Sequence, residues 1–383
     1  MKRLERAVIL IALATLVPVA SAEPIRVRRS VRIPDIPGYR TLKCDLHIHT
    51  VFSDGSVWPN VRSEEAWREG LDAIAITDHI EYQPHADDLP TKHNRAFEIA
   101  KPHGDQLAVT VIRGSEVTRD MPPGHLNAVF LRSSVPLDTT TWRDALTAAH
   151  EQGAFIFWNH PGWTDQQPDG VAKWYPEHTE LVEEGVLHGI EVVNERSYYP
   201  EAHRWCLEKD LAIISNSDIH APLNLDYLVR EGDHRPMTLV FAKDASLEAI
   251  RDALFARRTA AYSGNLLIGR EEFLRPIYEA SIELLTPRVA LEPGGQGYVQ
   301  IQNDSDVRFE LTGGGSAGGV VAPTDVVLSA NRTSLFALSA GEEAQPGVVR
   351  LELAYVVSNL LVEPDRGLPV ELAVEVEIVA GEE

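Results

Sequence analysis

Leu42-Lys43-Cys44-Asp45-Leu46-His47-Ile48-His49-Thr50 decides how the rest of the chain is read. Leu46 and Ile48 alternate with Asp45, His47 and His49, which is the period of a β-strand. Two histidines at i and i+2 on a strand project from one face, roughly 7 Å apart by strand rise. That spacing lets two imidazoles close on one metal ion. A His-x-His pair alone equally fits a packed strand, so its meaning depends on what the later strands carry.

Downstream, apolar strand-like runs alternate with helical patterns as far as about residue 245, the signature of βα units in a parallel sheet or barrel. The strand candidates are Leu42–Ile48, Ala73–Thr77, Ala108–Ile112, Leu126–Leu131, Ala154–Trp158, Ile190–Val193 and Leu211–Ser215. Helical segments near Ser63–Gly70, Thr140–Gln152, Pro200–Lys209 and Ser246–Arg257 supply crossovers. Most strands run into His, Asp or Glu: His49, Asp78-His79, Glu116, Asn159-His160, Asn194-Glu195 and Asp218-Ile219-His220, while His125 stands just before its strand. The C-terminal strand ends of a parallel barrel converge on one face, where such folds place their chemistry. Singly, each residue has a plainer explanation: an Asx turn at Asp78, a loop at His160, a helix cap at Asp218. Five such coincidences on successive strand ends point to a polynuclear metal site.

Upstream, Lys2, Arg3 and Arg6 precede an apolar run, Ala7–Ala20, and the small residues Ala20-Ser21-Ala22. Residues 1–22 therefore read as a secretory signal peptide rather than a membrane anchor, because a spanning helix needs roughly 20 apolar residues. The expected protein is exported, to a bacterial periplasm, with no stable membrane anchor. Removing that segment takes away three basic residues and one acidic one, moving the formal charge from −22 to about −24. Such a chain, without a Lys/Arg cluster, is a poor partner for long nucleic acid. A small anionic ligand held by metal ions fits it better. Cys44 and Cys206 are read as two buried thiols.

About 360 mature residues exceed one typical core. All 14 His and all 7 Trp lie at or before His234. Short alternating runs follow at Ile277–Leu285, Tyr298–Ile301, Asp325–Leu328, Val348–Val357 and Val370–Val379, with turn residues between them and a flexible loop expected at Gly313–Gly319. They predict a small all-β sandwich. The expected division is a signal peptide (1–22), an N-terminal extension (23–40), a hydrolase barrel (41–270) and a C-terminal β-sandwich (271–383).

The motifs resemble, in order, those of the PHP (polymerase and histidinol phosphatase) family. They are His47-Ile48-His49-Thr50 with Ser53-Asp54-Gly55, then Gly70–His79, Gly114-Ser115-Glu116, Asn159-His160-Pro161 and Asn216–His220. The resemblance covers roughly residues 40–265. It implies an α/β fold, a distorted (β/α)7 barrel with two or three divalent metals at its open end. It further implies that His47 and His49, with Asp218 and a bridging Glu116, hold the first ion. Glu116 and His160, with His125 as either a ligand or a packing histidine, hold the second. In three-metal relatives His79 and His220 serve a third ion together with a histidine that is absent here; Asp54 either replaces it or leaves the site two-metal. Exported members with a C-terminal β-domain resemble phosphodiesterases acting on small diesters.

Imidazole and carboxylate ligands without thiolate suit Zn, Mn, Fe or Co and disfavour Ca. The expected activity is hydrolysis of a small phosphodiester, Asp218, His79 and His220 serving the chemistry. Were the third ion missing, His79 or His220 would be free to protonate the leaving alkoxide. A phosphomonoesterase of the histidinol-phosphatase type and a non-catalytic metal-binding module are the competing readings. Arg119 and Arg196 are the candidate substrate cations, with Lys92 and Lys173 nearby, and Trp58, Trp163 and Trp174 are candidate pocket walls. Oligomeric state has no sequence signal.

Overall fold

The first strand, β1 (Arg40–Asp45), buries Leu42 and Cys44 and runs directly into the His47–His49 pair. The computed structural model describes residues 27–90 and 92–380, so the signal peptide read from residues 1–22 lies outside the described residues. After β1 the chain alternates α1 (Pro59–Glu69), β2 (Ala73–Ile76), α2 (Arg95–Leu107), β3 (Thr110–Val117) and β4 (Leu126–Val129). It continues through α3 (Trp142–His150), β5 (Phe155–Trp158), α4 (Pro176–Glu183), β6 (Gly189–Asn194), the short β7 (Ser197–Tyr198), α5 (Pro200–Glu208) and β8 (Ala212–Asn216). Every residue of β2, β5, β6 and β8 is buried, the pattern of strands covered on both faces.

β1, β2 and β3 pair in parallel, as do β5, β6 and β8. β4 is the exception: it pairs antiparallel with both β3 and β5. Only residues 118–125 connect β3 to β4, too few for a parallel crossover, so the chain turns back on itself. The expected run of like-oriented strands is corrected here, with a consequence for the site. The N-terminal end of an antiparallel strand lies where its neighbours place their C-terminal ends, which is why His125 precedes β4 while the other candidate ligands follow their strands.

The barrel closes without a continuous ladder. Beyond β1 and β8 an isolated parallel bridge joins Ile48 to Ile219, and the Ser215 amide donates to Thr238 Oγ1 at 2.9 Å. After α6 (Leu223–Asp226), the sheet continues on the far side of β1 through β9 (Met237–Ala242), α7 (Leu247–Phe255), β10 (Thr259–Ser263) and β11 (Leu266–Gly269), all successive strand pairs being antiparallel.

α8 (Glu271–Ser281) then covers ground where the sequence predicts a strand from Ile277. Its buried residues Phe273, Leu274, Ile277, Tyr278 and Ser281 recur at helical spacing, and only β12 (Ile282–Leu284) is extended. The sandwich follows with β13 (Arg288–Leu291), β14 (Gln296–Asn303), β15 (Phe309–Gly314), β16 (Ser316–Ala317), β17 (Val320–Val321), β18 (Asp325–Leu328), β19 (Arg332–Ala340), β20 (Gly347–Glu363) and β21 (Arg366–Ile378). The glycine-rich stretch is paired structure, not a free loop: Gly313 and Gly314 sit in β15 opposite Tyr355 and Ala354. A Cβ on Gly313, whose φ is +142°, would collide with the Ala354 carbonyl, so close strand approach explains that glycine.

The two parts are joined by structure. β11 pairs in parallel with β20, Leu267 opposite Leu360, and Asn359 Nδ2 donates to the Asn265 carbonyl at 2.7 Å. One buried apolar cluster runs from Ile48 and Ile76 through Leu274 and Ile277 of α8 to Leu351 and Leu353 of β20. Cys44 and Cys206 are buried free thiols, and burial pushes the Cys206 thiol up to about 12. No helix among the described residues is long and apolar enough to cross a membrane.

Candidate metal centre

Two chain segments carry the centre, and one buried arginine ties them together. The segment after β1 and the segment after β8 lie side by side, with the Asp218 amide donating to the His47 carbonyl at 3.0 Å and the His49 amide to Ile219 O at 3.1 Å. Arg62 of α1, fully buried, donates to the carbonyls of His49, Ile219, His220 and Ala221 at 2.8–3.1 Å. Asp78, at the end of β2, accepts from the Thr50 amide at 2.7 Å and from Ser53 Oγ at 2.8 Å, fixing the loop that leads to Asp54. Gly55 packs so close to the His49 and Thr50 backbone that a Cβ would meet it at 2.8 Å.

His47 Nε2 and His49 Nε2 are 3.0 Å apart. Each is 3.2 Å from Glu116 Oε2, and they stand 3.1 and 3.0 Å from Asp218 Oδ1. Five edges of 3.0–3.2 Å among four N and O atoms match ligands placed about 2 Å from a common centre, as zinc ligands are. The other oxygen of Glu116 faces a second group: His125 Nδ1 at 2.8 Å and His160 Nε2 at 3.7 Å. In a third group, Asp54 Oδ1 lies 3.2 Å from His220 Nε2, 3.5 Å from His79 Nε2 and 3.6 Å from His49 Nδ1. Among the described residues the sets close enough to share an ion are His47, His49 and Glu116, then Glu116, His125 and His160, then His49, Asp54, His79 and His220, with Asp218 Oδ1 adjoining the first. Asp54 Oδ1 is buried with no hydrogen-bond partner, an orphaned acceptor that a cation would satisfy. The donor set therefore fits divalent metal at all three positions.

The charges reinforce one another. Burial alone would raise the Glu116 and Asp218 carboxyls, but the imidazoles around them hold both well below the ordinary range. Burial likewise depresses His49, yet its hydrogen bonds to Asp218 and Glu116 outweigh it and bring the ring up to about 9. His47 and His160 move up for the same reason, whereas His125 moves down, burial and the neighbouring rings outweighing Glu116. Metal ions in place of these protons would serve the same carboxylates.

The structure thus brings together all nine candidate ligands, His47, His49, Asp54, His79, Glu116, His125, His160, Asp218 and His220. The candidate cations fare differently. Arg119 pairs with Glu81 and donates to the carbonyls of Thr118 and Thr139. Arg196 is exposed and bonded to Asp233 at 2.7 Å. Lys173 pairs with Asp169, and Lys92 is exposed. Above the centre a cleft with a cavity volume of about 630 Å³ is walled by Trp163, Tyr198, Tyr199 and Asn194, and among the described residues no Lys or Arg lines it. Trp163 packs on His125 and His160. Trp174 instead packs edge-on or tilted against Trp158, His178 and Trp205, and Trp58 against Phe52, so neither walls this cleft.

Sequence reading missed Glu191. This fully buried carboxylate accepts from His47 Nδ1 at 2.9 Å, the His160 amide at 2.8 Å and the Asn194 and Asn216 side chains at 2.8 and 2.9 Å. It fixes the His47 proton on Nδ1 and leaves Nε2 as a donor to metal. A charged residue inside the apolar run Ile190–Val193 was the available signal. His220 is set in the same way by donating Nδ1–H to the Asp218 carbonyl at 2.7 Å.

A solved two-domain protein from Bacteroides vulgatus, described as containing a predicted PHP-like metal-dependent phosphoesterase, matches with 44% identity and a TM-score of 0.85, over 92% of this chain and 100% of its own. A metal-dependent phosphoesterase structure from Bifidobacterium adolescentis matches at 17% identity and a TM-score of 0.38, over 46% of this chain and 87% of its own, and carries no further argument. Residues 282–373 match the Ig-like domain family DUF5001. No curated protein sequence matches the chain significantly.

Proposed function

The chain belongs to the two-domain PHP-like metal-dependent phosphoesterases, and on that premise we propose that it hydrolyses small phosphodiesters at a three-metal centre. The observation that carries this is Glu116, one carboxylate with an oxygen in each of two ligand groups. From that position it would hold two ions at once, and such paired ions would supply charge stabilisation to both the attacking and the leaving oxygen of an in-line displacement.

His47, His49, Glu116 and Asp218 would hold one ion, Glu116, His125 and His160 the second, and Asp54, His79 and His220 the third. Ions of the Zn, Mn, Fe or Co type would supply Lewis acidity at the phosphoryl oxygens and acidify water from about 16 towards about 7. The chain's own residues do the positioning. Glu191 and the Asp218 carbonyl hold the outer protons of His47 and His220, so the inner nitrogens face the centre. Asn194 Nδ2 bonds Glu191 and reaches Asp218 Oδ2 at 3.3 Å, keeping that carboxylate turned inward. With Asp54 completing a third set, His79 and His220 would hold an ion rather than serve as proton donors.

The cleft suits a small ester, and the acidic surface disfavours long nucleic acid. Residues 1–22 support export to a periplasm. Turnover of bis(p-nitrophenyl) phosphate and p-nitrophenyl phosphate by manganese- or zinc-loaded protein tests the reading. Faster diester turnover is expected. Monoester-only turnover would make the protein a phosphomonoesterase, and no turnover with metal bound would make it a binding module.

A further inference from the structure

Glu195 stands where three cavities meet. It lines the main cleft, a second one with a volume of about 630 Å³ reached past Asp218 and His220, and a third of about 260 Å³. Its backbone is left-handed, with φ +51°, and its amide donates to the Asn216 carbonyl at 3.1 Å. A non-glycine residue rarely adopts that conformation, and here it follows directly on Asn194, which pairs with Asn216 at the end of the ladder between β6 and β8. The residue thereby stands exposed on the ridge between clefts.

Among the described residues this carboxylate makes no hydrogen bond or ion pair. The other acids at the cleft floor, Asp54, Glu116 and Asp218, each face imidazoles across a metal position, whereas Glu195 belongs to none of the three ligand groups. The adjacent cation does not neutralise it. Arg196 donates to Asp233 at 2.7 Å and to the Asp226 carbonyl at 2.9 Å, and lies over the Tyr227 ring at 5.0 Å. Among the described residues no Lys or Arg lines the main cleft, so outside the metal positions no cation there rewards a second negative charge on a ligand.

Near neutral pH a phosphomonoester carries close to two negative charges, since its second pKa is about 6, and a diester carries one. We propose that Glu195 is a specificity-determining residue, repelling dianionic phosphomonoesters and favouring monoanionic diesters, whose two substituents can enter the clefts on either side of it. The inference rests on the phosphoesterase reading above.

Binding of two ligands with uncleavable P–C bonds tests it without turnover: phenylphosphonate as dianion and diphenylphosphinate as monoanion, titrated into manganese-loaded protein at about pH 8.5. Glu195→Gln is expected to tighten phenylphosphonate by about tenfold and diphenylphosphinate, with half the charge, by only about threefold. Glu195→Lys should move the ratio further in the same direction. Equal shifts for both ligands, or no shift for either, would overturn the role of Glu195 alone. Binding of neither ligand to any of the proteins would overturn it together with the phosphoesterase reading.

Discussion

Asp54 Oδ1 lies 3.2 Å from His220 Nε2, buried and without a hydrogen-bond donor of its own. Its hydrogen-bonding deficit is what a cation would relieve. Asp54→Asn keeps the shape and removes the charge. It should release about one metal ion per chain while His47, His49, Glu116 and Asp218 keep theirs, with turnover falling by at least the roughly 10- to 100-fold that outer-shell changes cost. Elemental analysis of the purified variant beside wild type checks this, and an unchanged metal content would contradict it.

Glu191 never reaches the centre, yet it holds the tautomer of His47. Glu191→Gln retains the volume and can no longer anchor the Nδ1 proton as a carboxylate does. A loss of about 10- to 100-fold in metal affinity is expected, with an unaltered circular dichroism spectrum. Competition with a chelator of known affinity gives the number.

Arg62 is a stability residue for the site. Its guanidinium, with no exposed surface, satisfies four carbonyls of the two ligand segments and pairs with Glu65. Arg62→Leu removes the only hydrogen-bond donor found for the His49 and Ala221 carbonyls and one of the donors for those of Ile219 and His220, among the described residues. It should lower unfolding free energy by about 3–5 kcal/mol, measured by denaturant titration.

Three histidines away from the metal groups, His178 and His203 buried and His188 half-buried, make the fold acid-sensitive. Burial pushes His178, His188 and His203 down from 6.5 to about 4. The sign follows from linkage: each folded-state pKa lies below its unfolded value, so their stability contribution is complete above pH 6.5 and is lost as pH falls towards 4. Each contributes a slope of about 1.4 kcal/mol per pH unit in that window. His178 stacks on Trp158 with centroids 3.8 Å apart and donates to the Pro123 carbonyl. His178→Gln, compared with wild type by urea unfolding at several pH values, should be less stable at pH 7 and show a shallower decline on acidification.

What could be read before folding follows from how local each signal is. His47, His49, Glu116, His160 and Asp218 were legible because each stands next to an apolar run of strand period, and strand ends converge in this class of fold. The family resemblance and the barrel-plus-sandwich architecture hold in the structure. The reversal of β4 was missed because the strand read as Ala108–Ile112 runs on to Val117, which shortens its connection to residues 118–125. α8 was missed because an apolar run of the length of Ile277–Leu285 fits either period until its buried face is known. Glu191 and Arg62 were missed because their partners are remote in sequence, 144 positions away for His47 and 158 for the His220 carbonyl.

The central claim, a three-metal phosphodiesterase centre completed by Asp54, is tested most directly by returning metal to stripped protein. Manganese or zinc should be added stepwise while bound ion and bis(p-nitrophenyl) phosphate turnover are followed on the same samples. Uptake should saturate at about three ions per chain, with full turnover reached only as the last is bound. Full turnover at about two ions, with no further uptake, would contradict the third site, and full turnover in metal-free protein would contradict the whole mechanism.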